Sequence, residues 1–273
     1  MNIFLSSGIG DFFGIVSCMT QREKDSVTAI SWATRQRKVL QQFVPLFFPN
    51  VQSQYVLCDD FTKSEELNTD PMNSNLIDRF CVHSLEDLYN RFPVSCNIDA
   101  SQIKDYSVQI LANACVKNER SYTGISELKR TLADISNVEL PEVFFFIHPW
   151  SDNQRYMERD FTLNECRAVV NYLSRIQIPG VIINKSSDMF PIQSKWIIDL
   201  TNKTDYFESI EVLKKAQGFI GSSSSFSVLA SKFLEQENVI IKAPDSIRNS
   251  WYKFYYLPYT TNEFCHKSLM FLR

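Results

Sequence analysis

The chain has 273 residues, 44% hydrophobic and 13% aromatic, enough for one large or two small cores, and 28 Lys+Arg against 31 Asp+Glu exclude the basic excess of a nonspecific nucleic-acid binder. Its seven cysteines (Cys18, Cys58, Cys81, Cys96, Cys115, Cys166, Cys265) are odd in number and form no C-x-x-C pair, which argues against a disulfide framework or a zinc site and for reduced intracellular thiols. No apolar run approaches the roughly eighteen residues of a membrane span, and the opening MNIFLSSGIGDFFGIV lacks a basic signal-peptide start, so a cytoplasmic protein is expected.

In chain order, NIFLSS reads as a strand and is followed by a helix from about Asp11 to Thr20. VTAISWA is a second strand, RKVLQQFVPLF a helix that ends before Pro49, and QYVLCD a third strand. Residues 61–75 are polar and poorly patterned, a predicted loop, and SLEDLYNRF and SQIKDYSVQILANACV read as helices. VFFFIHPW is a near-continuous apolar run, as in a parallel strand covered on both faces. After it come the helix TLNECRAVVNYLSRI, the strands GVIINK and WIIDLT, the helix YFESIEVLKKA, the strand GFIG, the helix SFSVLASKFL and the strand NVIIKAP. Alternating strands and helices predict an α/β fold with parallel sheets. The series restarts near SNVELPE, which predicts two Rossmann-like domains, 1–138 and 139–273, facing a cleft.

Ligands of such sheets bind beyond the carboxyl ends of the strands, so the residues there are the site candidates. In the first half they are Gly8, Gly10 and Asp11, then Arg35, Arg37 and Lys38 of TRQRK, then Asp59 and Asp60. In the second half they are His148, Arg155 and Arg159, then Asp188, then the run Ser222, Ser223, Ser224 and Ser225. Four serines between a strand and a helix suit either of two purposes. One serine alone is most often a helix cap. Four together let backbone N–H groups and hydroxyls converge on an anion at the positive end of a helix.

Asp11 likewise has two readings: a first-turn aspartate favoured by the helix dipole, or a carboxylate that takes a proton from a hydroxyl. The Gly8-Ile9-Gly10 loop lacks the third glycine of a dinucleotide fingerprint. Arg159 pairs with an acidic neighbour or neutralises a pyrophosphate. Asp188 is a turn residue or an acceptor for ribose hydroxyls, and His148 is a packed strand-end histidine or a substrate contact. The three cations of TRQRK are a solvated helix start or hold a phosphorylated glycan or a nucleic-acid backbone.

The pair SSGIGDFFG and AQGFIGSSSSFSVLAS, together with FFIHPW…RDFT and WIIDLTNKTDYFESIEVLKKAQGFIG, resembles the heptosyltransferase-type (family 9) glycosyltransferases of GT-B fold over nearly the whole chain. The resemblance implies an inverting, metal-independent transfer of sugar from a nucleotide-sugar, with no further cofactor. Asp11 falls on the family's general base, and Arg159, with Arg155 second, on its phosphate-contacting basic residue. The family's last loop reads Gly-x-Asp-Ser/Thr-Gly-x-x-His; here Ser223 stands for the aspartate, Ser225 for the glycine and Val228 for the histidine. The acceptor side would include Gly10, Arg35, Arg37 and Lys38, and the acceptor would be a glycan or a hydroxymethylated DNA base. Asp59 and Asp60 are the reserve candidates for the base. A sugar-nucleotide epimerase and a non-catalytic nucleotide-sugar-binding protein share the layout and stay open at this point; only three histidines speak against the epimerase.

Overall fold

The structure, a computed structural model, describes residues 2–5, 8–34, 36–58, 122–151, 160–185 and 189–242. The predicted helices in 84–92 and 101–116, the loop 61–75, and Arg35, Asp59, Asp60, Arg155, Arg159 and Asp188 lie outside the described residues. The chain divides into two compact units, Met1–Glu127 and Leu128–Arg273. Among the described residues no helix is long and apolar enough to cross a membrane.

In the first unit, β1 (Asn2–Leu5), β2 (Ala29–Ala33) and β3 (Ser53–Cys58) form a parallel sheet in that order. Helix α1 (Ile9–Val16) follows β1, and α3 (Arg37–Phe47) follows β2. Phenylalanine spacing decides how they pack. Phe12 and Phe13 of α1 meet Phe43 and Phe47 of α3 edge-on, with Phe12 and Phe47 centroids 5.5 Å apart and Phe13 and Phe43 5.2 Å apart. All four rings are fully or almost fully buried, and such edge-to-face pairs add to area burial. The sequence predicts one helix up to Thr20, but α1 stops at Val16 and a separate six-residue helix, α2 (Gln21–Ser26), begins beyond Thr20. Thr20 and Glu23 form its capping box, which a hydrophobicity reading passes over because α2 has no apolar residue. Lys24 of α2 is buried, ion-paired with Glu127, and lies 5.3 Å over the Phe47 ring.

Among the described residues the second unit holds five parallel strands: β4 (Phe145–His148), β5 (Gly180–Ile182), β6 (Ile197–Asp199), β7 (Gly218–Ser222) and β8 (Val239–Lys242). Their order in the sheet is β6-β5-β4-β7-β8. Numbered within the unit this is 3-2-1-4-5, the arrangement of a doubly wound nucleotide-binding sheet. Helix α4 (Leu163–Ile176) joins β4 to β5, α5 (Tyr206–Lys215) joins β6 to β7, and α6 (Ser225–Phe233) joins β7 to β8. Phe145, Ile147, Cys166, Val169, Leu173, Ile182 and Ile220 form one core cluster between α4 and the sheet. The glycines of GFIG serve close approach: a Cβ on Gly221 would stand 2.6 Å from the His148 carbonyl oxygen.

Candidate functional site

The second sheet reverses its winding between β4 and β7. From β4 the chain steps to β5 on one side, and from β7 it steps to β8 on the other. Helices therefore leave the two carboxyl ends on opposite faces, and a crevice opens between them. The last residue of β4 is His148 and the last of β7 is Ser222, with His148 in register with Gly221. Two of the sequence candidates are thus neighbours at this crevice, and the serine run begins there.

His148 is buried and held on two sides. Its Nδ1 lies 2.8 Å from the Ile183 carbonyl oxygen, which can only accept, so Nδ1 carries a proton. The ring stands edge-on to Phe226 of α6, with centroids 5.0 Å apart. Phe226 is stacked in turn on Tyr206, also at 5.0 Å. Burial pushes the Tyr206 phenol well above its ordinary pKa, and the neighbouring Ser225 offsets only part of that, so the phenol stays protonated. A histidine, a phenylalanine and a tyrosine form a fixed wall beside the serines.

The four serines divide in role. Ser222 is fully buried, and its hydroxyl donates to the His148 carbonyl at 3.3 Å, joining β7 to β4. The Ser223 N–H donates to the Lys242 carbonyl at 3.0 Å, and the residue is 9% exposed. Ser224 is the N-cap of α6; its Oγ is a buried atom with no capping hydrogen bond. Instead its N–H donates to Ser227 Oγ at 2.8 Å, and Ser227 Oγ donates to the Ser224 carbonyl at 2.7 Å. Ser225 opens the helix and touches Tyr206. In an α-helix the first-turn N–H groups, here from Ser225 onward, have no intrahelical acceptor.

Charge sets this turn apart from those of α2, α4 and α5. Helices α2, α4 and α5 all close their first turns with a glutamate, in Thr20/Glu23, Thr162/Glu165 and Asp205/Glu208 boxes. Helix α6 uses Ser227 at that position and has no acidic residue in its first turn. A glutamate would neutralise the positive end of the helix; a serine satisfies the geometry and leaves that end positive. Ser227, missed in the sequence because it sits inside an apolar helical pattern, is what keeps the turn free of negative charge.

Asn184 is a second residue that sequence reading passed over. It lies just beyond β5, is 8% exposed, and its Nδ2 has no hydrogen-bond partner among the described residues. Lys242, in register with Ser222, is already engaged: Nζ donates to the Asp160 carbonyl at 2.5 Å and to Glu165 Oε2 at 2.8 Å. Asp160 Oδ1 accepts from the Ser151 N–H at 2.8 Å. Ser151 and Asp160 flank residues 152–159, the segment in which Arg155 and Arg159 fall, so both ends of that segment are tied together beside β4.

In the first unit, Gly10 and Asp11 are the second and third residues of α1; the Asp11 side chain lies outside the described residues. The Ile9 N–H at the start of α1 donates to Gln36 Oε1 at 2.7 Å. From TRQRK, Gln36 reaches the glycine loop. Arg37 and Lys38 open α3, with Arg37 half-buried and Lys38 exposed. Among the described residues no group of three or more His, Cys, Asp or Glu side chains has a metal-holding arrangement.

No family model and no curated protein matches the sequence. Solved structures match the fold. A glycosyl transferase of family 9 from Veillonella parvula superposes with a TM-score of 0.55 at 12% identity, covering 95% of this chain and 84% of that one. The heptosyltransferase WaaC of E. coli, solved with ADP, gives a TM-score of 0.51 at 10% identity, covering 88% of this chain and 86% of that one. The chain has the fold of these glycosyltransferases. The α/β class with parallel sheets and the likeness to heptosyltransferase-type structures are those that the sequence motifs suggested.

Proposed function

We propose that this protein is a glycosyltransferase that binds a nucleotide-sugar at the carboxyl end of its second sheet and moves the sugar to an acceptor hydroxyl. The observation that carries the reading is the acid-free, serine-built first turn of α6 at the topological switch point. It suits a diphosphate, which needs N–H and O–H donors and is repelled by carboxylates. The fold likeness to a heptosyltransferase solved with ADP supports a nucleotide as the ligand.

In the reaction, Asp11 takes the proton of the acceptor hydroxyl as its oxygen bonds to the anomeric carbon. The bond from that carbon to the diphosphate oxygen breaks on the opposite face, so configuration inverts. The charge that develops on the departing diphosphate is received by the first-turn N–H groups of α6, by the hydroxyls of Ser223, Ser224 and Ser225, and by Arg159 and Arg155. Ser222 and His148 act by shaping the crevice, and no metal is needed for this charge balance. Asp188 takes a ribose hydroxyl, and Gly10, Arg35, Arg37 and Lys38 lie on the acceptor side. The acceptor is a glycan, with a hydroxymethylated DNA base as the other candidate, and the compartment is the cytoplasm.

Asp11→Asn tests the assignment. Turnover of a nucleotide-sugar should fall by about two to four orders of magnitude, the usual worth of a general base, with nucleotide affinity unchanged. A variant with undiminished turnover would remove Asp11 from the chemistry. Nucleotide binding with no turnover in either protein would favour the non-catalytic reading.

A further inference from the structure

Helix α1 is capped by a side chain from another element. The Phe12 N–H donates to the Gly8 carbonyl at 3.1 Å, the first hydrogen bond of the helix. The Ile9 N–H, which has no intrahelical acceptor, donates to Gln36 Oε1 at 2.7 Å, from a residue 27 positions away in sequence. Gln36 stands at the N-cap of α3 and makes no side-chain cap there. Its own backbone is held: its N–H donates to Thr34 Oγ1 at 3.2 Å, and its carbonyl accepts from the Val39 and Leu40 N–H groups, both at 3.1 Å. The side chain thus reaches from a fixed backbone to grip a neighbouring helix.

Sheet pairing shows what that grip joins. β1 and β2 are paired, with Leu5 in register with Trp32, so the chain leaves the sheet toward α1 and toward Gln36 from strands roughly 4.8 Å apart. One exit leads to Asp11, in the same first turn as Ile9; the other leads to Arg37 and Lys38, which directly follow Gln36. The amide therefore ties the turn that carries the proposed base to the segment assigned to the acceptor side. Charge bears on the choice of residue. Helices α2, α4 and α5 receive a glutamate at their first turns. A glutamate here would accept from the Ile9 N–H as well and suit the helix dipole. It would also place a second negative charge near Asp11 and disfavour its ionised form. Glutamine makes the same hydrogen bond without the charge.

Resting on the assignment of Asp11 as the base, we infer that Gln36 is a positioning residue for the transfer, a neutral clamp that holds the first turn of α1 to the acceptor-side segment.

The test compares wild type, Gln36→Met and Gln36→Glu, each as the full chain. Methionine matches glutamine in length but offers no oxygen to the Ile9 N–H; glutamate does. Turnover is followed as release of ADP, UDP or GDP from their sugars. In Gln36→Met, kcat should fall about ten- to a hundredfold with the KM of the nucleotide-sugar within about twofold, the cost of a misplaced reacting group. Gln36→Glu should recover most of that kcat at a pH above the Asp11 titration. A second readout needs no substrate: the Asp11 carboxyl, followed by NMR in aspartate-labelled protein and assigned with Asp11→Asn. It should titrate about half a unit or more higher in Gln36→Glu than in wild type. Arg37 and Lys38 are common to both proteins and drop out of that difference. A purely structural cap would lower the melting temperature of Gln36→Met and move neither readout. Wild-type kcat in Gln36→Met, or an unmoved Asp11 carboxyl in Gln36→Glu, would overturn the inference while leaving the transferase reading standing. If Gln36→Met does not fold, the carboxyl titration decides. Undiminished turnover in Asp11→Asn would remove the base itself, and the inference with it.

Discussion

Ser224 and Ser227 close the first turn of α6 on each other, the N–H of one donating to the hydroxyl of the other at 2.8 Å and that hydroxyl donating back to the carbonyl at 2.7 Å. A plain helix cap and an anion cradle both use serine here, but they differ in their tolerance of charge. Aspartate caps as well as serine and adds a favourable interaction with the helix dipole of about 0.3–1 kcal/mol. Ser224→Asp sets that gain against the cost of enclosing a carboxylate where the serine Oγ is buried, so its melting temperature is the control for a folded variant. The same carboxylate stands where a diphosphate would sit, so nucleoside diphosphate affinity should fall at least about tenfold, about 1.4 kcal/mol. Unchanged affinity in a stable variant would make the serines a cap and nothing more.

The close approach of Gly221 to His148 gives a second test. An added methyl would meet the His148 carbonyl oxygen at 2.6 Å and the Phe219 ring. The backbone oxygen yields only if β7 parts from β4, so Gly221→Ala should cost about 1–3 kcal/mol, as overpacking does. Urea unfolding measures it, and nucleotide affinity should fall alongside because the crevice lies between those two strands.

Much of this was readable from residue patterns, for reasons that can be named. VFFFIHPW and GFIG announce buried parallel strands by their unbroken apolar runs, and β4 and β7 lie where those runs are. The serine run was visible as a strand-to-helix junction. Strand order was not, because it depends on contacts between β4 and β7, 70 residues apart in sequence. Nor does a sequence reveal that Ser227 replaces a capping glutamate, or that Asn184 is buried without a partner; both are facts about neighbours. Helix α2 escaped because QREKDS has no apolar face, although T-x-x-E in front of it was a usable signal.

Acid should loosen the second unit through Glu165. Burial pushes its carboxyl up, but hydrogen bonds from Lys242 and from the Thr162 N–H and hydroxyl outweigh it and hold the pKa below the usual glutamate range. The folded chain then binds this proton less readily than the unfolded chain. The stability it contributes is complete above the unfolded value of about 4.3 and is lost as pH falls through the lower folded value. Glu165→Gln should be less stable than wild type at pH 7, with the gap in urea midpoint closing as the pH approaches 3. A gap independent of pH would show that the ion pair with Lys242 does not titrate with folding.

Cys166 should be chemically silent. It is fully buried in the core of the second unit, and burial, with the adjacent Glu165 charge, pushes its thiol up to about 11. At neutral pH almost no thiolate forms, so brief alkylation of the native protein followed by peptide mapping should leave Cys166 unmodified. Alkylation in denaturant should label it fully. Rapid native labelling would contradict its place beneath α4.

The central claim is that the crevice at β4 and β7 binds a nucleotide-sugar through the first turn of α6. The most direct measurement is the thermal shift of the full chain against UDP, GDP, ADP and CMP, each with and without its common sugars. Stabilisation by one nucleotide family, lost in Ser224→Asp, is the predicted result and would identify the base for an acceptor screen. No shift with any of them, from a protein shown to be folded, would contradict the account and leave Ser222 to Ser225 as the ordinary start of a helix.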